Sequence, residues 1–235
     1  MTPGSNPRIG GYYLVGALLT SLIAFLTWPI GVIVLWPALC LLTTTAAYLG
    51  IGPRIFGKRE GRLPFPVKVI MAPVLTGHRA SLAHYSRLSD TWNPVTTAVW
   101  IGRKLTDEEA LGAIGKGVTS VLDMTAESDE ALPFLSLRYL NLPILDLTAP
   151  SQVDLDAAVR FITERAREGI VYVHCKVGYS RSAGAVGAYL LSKGDARNME
   201  DVVEILTRIR RGIVIRPEIR AALRDYAAGL HGTAP

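Results

Sequence analysis

From Ile9 to Pro53 the chain carries no charged residue, with Arg8 and Arg54 as the flanking charges. A spanning helix needs about 20 apolar residues, so this tract is too long for one pass and suits two. Trp28-Pro29, followed by Gly31, breaks it. The pattern predicts a helical hairpin with helices near 12–27 and 30–49, the first short for a span and the second kinked at Pro37. Tyr12, Tyr13, Trp28, Trp36 and Tyr48 are candidate interfacial aromatics, Trp36 lying deep for that role. A cleaved signal peptide has an apolar region of about 7–15 residues, which this tract exceeds. A core hairpin of this length normally shows a polar face, and none is visible. Residues 1–53 are therefore read as a membrane anchor, with a single re-entrant pass as the alternative.

Arg54, Lys58, Arg59, Arg62 and Lys68 follow, opposed only by Glu60. The positive-inside rule places that flank, and all that follows, in the cytoplasm. Residues 54–92 mix prolines, apolar residues and bases. They read as a basic juxtamembrane linker with one amphipathic helix near 74–88 on anionic headgroups, or as a solvated linker. His78 and His84 fall here and are assigned no chemistry.

After Asn93 strand and helix patterns alternate. Strands are predicted at 97–101, 118–122, 138–142 and 170–174, the last a continuous apolar run of buried type. Thr106 and Glu109 form a capping box, 153–168 shows a helical apolar face, 183–191 is a small-residue helix, Asn198 caps another through Arg210, and Pro217 opens a last one to about Leu230. Gly184 and Gly187 are expected to permit close helix–sheet packing. Residues 93–235 thus read as one α/β domain, a mostly parallel sheet with helices on both faces.

Composition agrees with two unlike parts. Of 235 residues 49% are hydrophobic and 19% charged, which excludes disorder. Cys40 and Cys175 cannot build a disulfide framework, and four scattered histidines give no zinc spacing, so no metal is expected. The net charge of +5 points to an anionic partner. The membrane flank accounts for much of it, and nucleic acid is not expected. No repeat, low-complexity tract or lipidation motif is evident, and oligomeric state is not legible.

Between the apolar strand and the small-residue helix lies His174-Cys175-Lys176-Val177-Gly178-Tyr179-Ser180-Arg181-Ser182. Gly178 allows a tight turn whose amides converge on one anion, and the following helix aims its positive end at the same point. That arrangement lowers a thiol pKa and holds a phosphoryl dianion in front of the sulfur. Arg181 can fork onto two phosphoryl oxygens, and Ser182 is placed to hydrogen-bond the thiolate. Cys40, alone in the apolar tract, reads as a small hydrophobe.

This segment resembles the His-Cys-x5-Arg-Ser signature of the cysteine-dependent phosphatases, specifically the dual-specificity group, and most of 95–230 is consistent with that fold. VYVHCK, YSRSA and IVIRPEI are similar to the mitochondrial and bacterial phosphatidylglycerophosphate phosphatase branch. The resemblance implies that Cys175 is the nucleophile, Arg181 the phosphate clamp, and Lys176, Val177, Gly178, Tyr179, Ser180 and Arg181 the phosphate-binding cradle. It implies that His174 is a buried orienting residue, that Arg216 faces the site, and that no cofactor is needed. Lys176 meets either an anionic headgroup or solvent.

The chemistry also needs a leaving-group acid on a loop upstream. Asp146, after a strand and before a helix, is the candidate, and the family places its acid similarly. Asp123 ends a strand, where loop capping is the plain role, while Asp154 and Asp156 lie in a helix first turn, where the dipole alone favours acids. The anchor, the basic flank and the branch resemblance together favour a phospholipid such as phosphatidylglycerophosphate, at a bacterial inner membrane. A membrane-tethered protein tyrosine or dual-specificity phosphatase and a silent phosphate-binding adaptor are the alternatives. Tyr179 after Gly178, where phosphoinositide-specific relatives often carry a base, counts against phosphoinositides.

Overall fold

The computed structural model describes residues 4–232; positions 1–3 and 233–235, the outer ends of the expected anchor and catalytic domain, and the His231 side chain lie outside the described residues. Helix α1 (Pro7–Leu26) begins five residues earlier than expected, because Asn6 accepts the Ile9 amide and Pro7 suits the first turn. Helix α2 (Val32–Ala46) returns beside it and runs on through a π turn (Ala47–Ile51) and a 3-10 turn (Gly52–Phe56). In α1 only Gly10, Ala17 and Ala24 are buried. These small residues, seven apart, let α2 approach, while Leu18, Leu19, Leu22 and Phe25 point outward. The hydroxyls of Thr20, Thr27, Thr43, Thr44 and Thr45 each donate to the carbonyl four residues back, so none is left unpaired on this apolar surface. By length and composition both helices can cross a membrane, and only 17% and 33% of their apolar windows are buried.

The segment expected to be a linker is folded against its neighbours. Helix α3 (Phe65–Ile70) turns sharply into α4 (Ala72–Ser86), and Trp36 of α2 donates its indole N–H to Ile70 O at 2.9 Å. That bond gives the deep tryptophan a polar partner. A cluster of Cys40, Tyr48, Phe56, Met71, Val74, Leu75, Ala126 and Leu145 joins hairpin, segment and α/β domain.

The domain holds β1 (Trp92–Pro94), β2 (Val99–Arg103), α5 (Asp107–Gly115), β3 (Val118–Thr125), β4 (Arg138–Ile144), α6 (Gln152–Arg165), β5 (Ile170–Cys175), α7 (Arg181–Lys193), α8 (Met199–Ile209) and α9 (Pro217–Gly232). The sheet order is β1-β2-β5-β3-β4, parallel except for β1. Strand β1 escaped the sequence reading because three residues ending in proline carry no strand signal. Alternation along β5 sends Val171, Val173 and Cys175 into the core under α6–α9, and Ile170 and Tyr172 toward α5 and Phe134. Of thirteen residues in α7, eleven are buried. A Cβ on Gly187 would lie 2.8 Å from Val202 and 3.1 Å from Leu223, and one on Gly184 3.2 Å from Ile219. These glycines therefore serve helix–helix contacts with α8 and α9, not the helix–sheet packing expected. Because β5 is central, its carboxyl end opens at the middle of the sheet edge, where ligands of parallel α/β folds bind.

Candidate active site

Strand β5 delivers His174 and Cys175 to that edge, and the chain turns over the sulfur before α7 begins at Arg181. Gly178 makes the turn possible. Its φ is +79°, and a Cβ there would sit 2.3 Å from Gly102 O. The Gly178 amide donates to Cys175 Sγ at 3.3 Å, and Ser182 Oγ lies 3.5 Å from the same sulfur. Arg210, just past α8, fixes the loop by donating to Val177 O and Gly178 O, both at 3.1 Å, and to Asn93 Oδ1 at 2.6 Å. Burial alone would push the Cys175 thiol up. The Arg181 charge and hydrogen bonds from Ser182 outweigh it and hold the thiol below its ordinary value.

Arg181 is itself buried. Its Nη1 and Nη2 fork onto Glu127 at 3.0 and 2.8 Å, Nη1 donates to Ile144 O at 2.8 Å, and Nη2 reaches Asp146 Oδ1 at 3.2 Å. The other Asp146 oxygen accepts from Lys176 Nζ, which also lies 3.4 Å from His78 Nδ1. Burial would raise the Asp146 carboxyl, but Arg181 first and then Lys176 hold it well below the carboxylate range. Burial lowers His78 against the Glu127 charge, with the Lys176 and Arg181 charges adding to the lowering. Thus Lys176 meets the Asp146 carboxylate, a partner the sequence reading did not weigh. His78, assigned no chemistry from sequence, belongs to the same constellation.

Behind the loop, His174 Nε2 lies 2.7 Å from Glu130 Oε2 and 3.9 Å from Asp123 Oδ1. Burial would lower His174, yet the Glu130 and Asp123 charges prevail and raise it. Asp123 caps the strand end as expected, its Oδ1 accepting the Thr125 amide and hydroxyl, both at 2.7 Å, and it does more. It pairs with the buried Lys58 ammonium and accepts the Tyr139 hydroxyl at 2.7 Å. Lys58 also donates to Thr125 O and Oγ1. The basic flank thins accordingly, since Lys58 is buried and Lys68 pairs with Asp129. Asp154 forms a capping box with Ser151, and neither it nor Asp156 lines the cleft.

The cleft over Cys175 has a volume of about 540 Å³ and is lined by Ser81, Tyr85, Asp146, Leu147, the loop and Arg216. The hairpin base touches this cleft. Tyr48 OH donates to Asp146 O, and Asn6 Nδ2 to Leu147 O, both at 2.9 Å, bracing a residue whose φ is +61°. Two groups bring three potential metal-ligand atoms together, His78–Glu127–Asp146 and Asp123–Glu130–His174. Arg181, Lys176 and Lys58 already neutralise carboxylates in both. Positive charge, an amide turn, a lowered thiol and a carboxylate thus converge on one point, an arrangement able to bind a phosphoryl group and attack it.

The family described as dual specificity phosphatase, catalytic domain, matches residues 99–228. Phosphatidylglycerophosphatase and protein-tyrosine phosphatase 1 of Rattus norvegicus is 30% identical over 126 residues, 53% of this chain and 65% of that protein. Phosphatidylglycerophosphate phosphatase PTPMT2 of Arabidopsis thaliana is 33% identical over 93 residues, 39% of this chain and 40% of that protein. The chain spans less than two thirds of the length of these curated relatives. A crystal structure of PTPMT1 in complex with PI(5)P superposes with a TM-score of 0.55 at 26% identity, covering 62% of this chain and 100% of that one. The fold is that of the cysteine phosphatases.

Proposed function

The chain belongs to the dual specificity phosphatase family, and from that premise we propose that it is a membrane-anchored phosphomonoesterase acting on a phospholipid, phosphatidylglycerophosphate foremost. In this reading the Cys175 thiolate attacks phosphorus while Arg181 and the loop amides hold the phosphoryl oxygens. The P–O bond breaks, the departing alkoxide takes a proton from Asp146, and a cysteinyl-phosphate remains. Asp146 then takes a proton from water as it attacks phosphorus, and sulfur leaves as thiolate beside Ser182. At rest Asp146 is a carboxylate paired with Arg181 and Lys176. An arriving dianion competes for both cations and adds negative charge beside it, so Asp146 takes up its proton together with substrate. His174 and Lys58 position the loop from behind.

One observation carries the choice of a lipid. The base of an apolar, outward-facing hairpin is hydrogen-bonded to the Asp146 loop, and this contact supports a cleft lying where the hairpin would enter a bilayer. The names of the relatives support the same choice. Basic residues flanking the hairpin support a cytoplasmic face, as at a bacterial inner membrane. Protein and Cys175→Ser are compared in mixed micelles, following phosphate release from phosphatidylglycerophosphate and from a phosphotyrosine peptide. A Cys175-dependent preference for the lipid supports the reading. Preference for the peptide keeps the chemistry and replaces the substrate, while release that persists in Cys175→Ser removes the nucleophile.

A further inference from the structure

A second cavity, of about 450 Å³, adjoins the catalytic cleft. Tyr13, Pro37, Leu41 and Tyr48 of the hairpin form one wall, and Pro73, Val74 and Gly77 of α4 form the other. It shares Ser81, Asp146, Leu147 and Lys176 with the cleft over Cys175, so the two are continuous. Polarity changes along its length. The inner end holds Asp146, Lys176 and His78, while the far end is proline and aliphatic side chain.

The far end also lies well up the hairpin. Pro37 is eleven residues before Tyr48 in the sequence, which at a helical rise is roughly 16 Å from the base. The α3–α4 turn reaches the same height, where Trp36 bonds Ile70 O, and it exposes Phe65, Val69 and Ile70. An apolar groove thus runs from bilayer depth down to the catalytic carboxylate. Most of its walls, including all of the hairpin and α4, precede residues 99–228, so the matched catalytic domain does not supply them.

We propose that this groove holds the glycerol backbone and the proximal acyl chain of the phospholipid whose phosphomonoester lies over Cys175, so that substrate passes sideways from the bilayer between α2 and α4. The proposal rests on the lipid reading above. A soluble phosphopeptide has no use for an apolar slot open at membrane depth, whereas an acyl chain already lies there.

Gly77 makes the test clean, because a Cβ there meets no atom within 4 Å. In full-length protein in mixed micelles, kcat/KM is measured for dioleoyl phosphatidylglycerophosphate and for p-nitrophenyl phosphate. Gly77→Trp, which fills the groove from α4, lowers the ratio of lipid to aryl efficiency by about tenfold or more. Leu41→Trp, from the facing wall, lowers the same ratio. Thr76→Trp, one residue outside the lining, leaves it in place. An unchanged ratio in both groove variants, whether each activity is kept or both fall together, overturns the groove. Failure of the underlying reading shows elsewhere: wild-type protein then hydrolyses the aryl ester in a Cys175-dependent way with no preference for the lipid.

Discussion

Helices α1 and α7 are both apolar along most of their length, and they meet opposite surroundings. In α7 eleven of thirteen residues are buried among sheet and helices, and the one charge at its start, Arg181, is buried with them. In α1 three of twenty are buried, and a belt of leucine, isoleucine and phenylalanine faces out. The polar groups of each helix show what that difference demands. The helix in the protein core carries a charge because Glu127, Asp146 and the Ile144 carbonyl surround it. The helix on the outside carries none past Arg8, and its Thr20 hydroxyl returns to its own backbone at Gly16 O, the kind of partner an apolar surrounding would leave it.

The comparison breaks first at the buried charge. Glu127→Ala removes the fork and leaves Arg181 buried with Asp146 as its one remaining carboxylate. Breaking one half of a buried pair costs about 3–5 kcal/mol. Urea unfolding of the protein in detergent is expected to show a loss of that size, together with a fall in aryl phosphate turnover. A loss below about 1 kcal/mol, the range of an exposed pair, would mean that the core tolerates Arg181 for some other reason.

The outer helix is tested by giving it what α7 has. Leu18 is 60% exposed, and arginine there is harmless if α1 faces water. If α1 lies in lipid, the charge costs about 2.5–3.5 kcal/mol of insertion. The expected result is a shift of Leu18→Arg from the carbonate-resistant membrane fraction to the soluble or aggregated one. Retention at the wild-type level would remove α1 from the bilayer.

How much was legible follows from sequence distance. Strand, Cys175, Gly178, Arg181 and the helix start lie within one short stretch, so local turn chemistry exposed the loop and led to Asp146 as its partner. The residues that hold the loop in place left no such trace. Lys58 reaches Asp123 across 65 positions, Glu127 reaches Arg181 across 54, Glu130 reaches His174 across 44, and Lys176 reaches His78 across 98. In sequence Lys58 was one base in a basic run and Glu127 one acid in a loop. Only the β3–β5 pairing, with Asp123 opposite His174, brings these groups under one roof. The hairpin itself was plain from its lack of charge. Its docking on the Asp146 loop was not, since Asn6 and Leu147 lie 141 positions apart.

The smallest effect lies where α7 meets the sulfur. Burial, with the Asp146 charge, raises the Cys175 thiol, while the Arg181 charge and the Ser182 hydrogen bonds lower it. Ser182→Ala deletes one lowering influence and leaves the helix and Arg181 in place, so the thiol pKa rises. A hydrogen bond to a charged group contributes about 1.5–3 kcal/mol. Iodoacetamide reacts with the thiolate, so its inactivation rate climbs with pH along a limb that moves to higher pH in the variant. The difference is largest on the acid side and closes once both thiols are ionised. Turnover falls at every pH, because the hydroxyl also stabilises the thiolate as it leaves the phosphoenzyme. A limb that stays in place while turnover falls would assign Ser182 to the second step alone, and leave the thiolate to Arg181 and the loop amides.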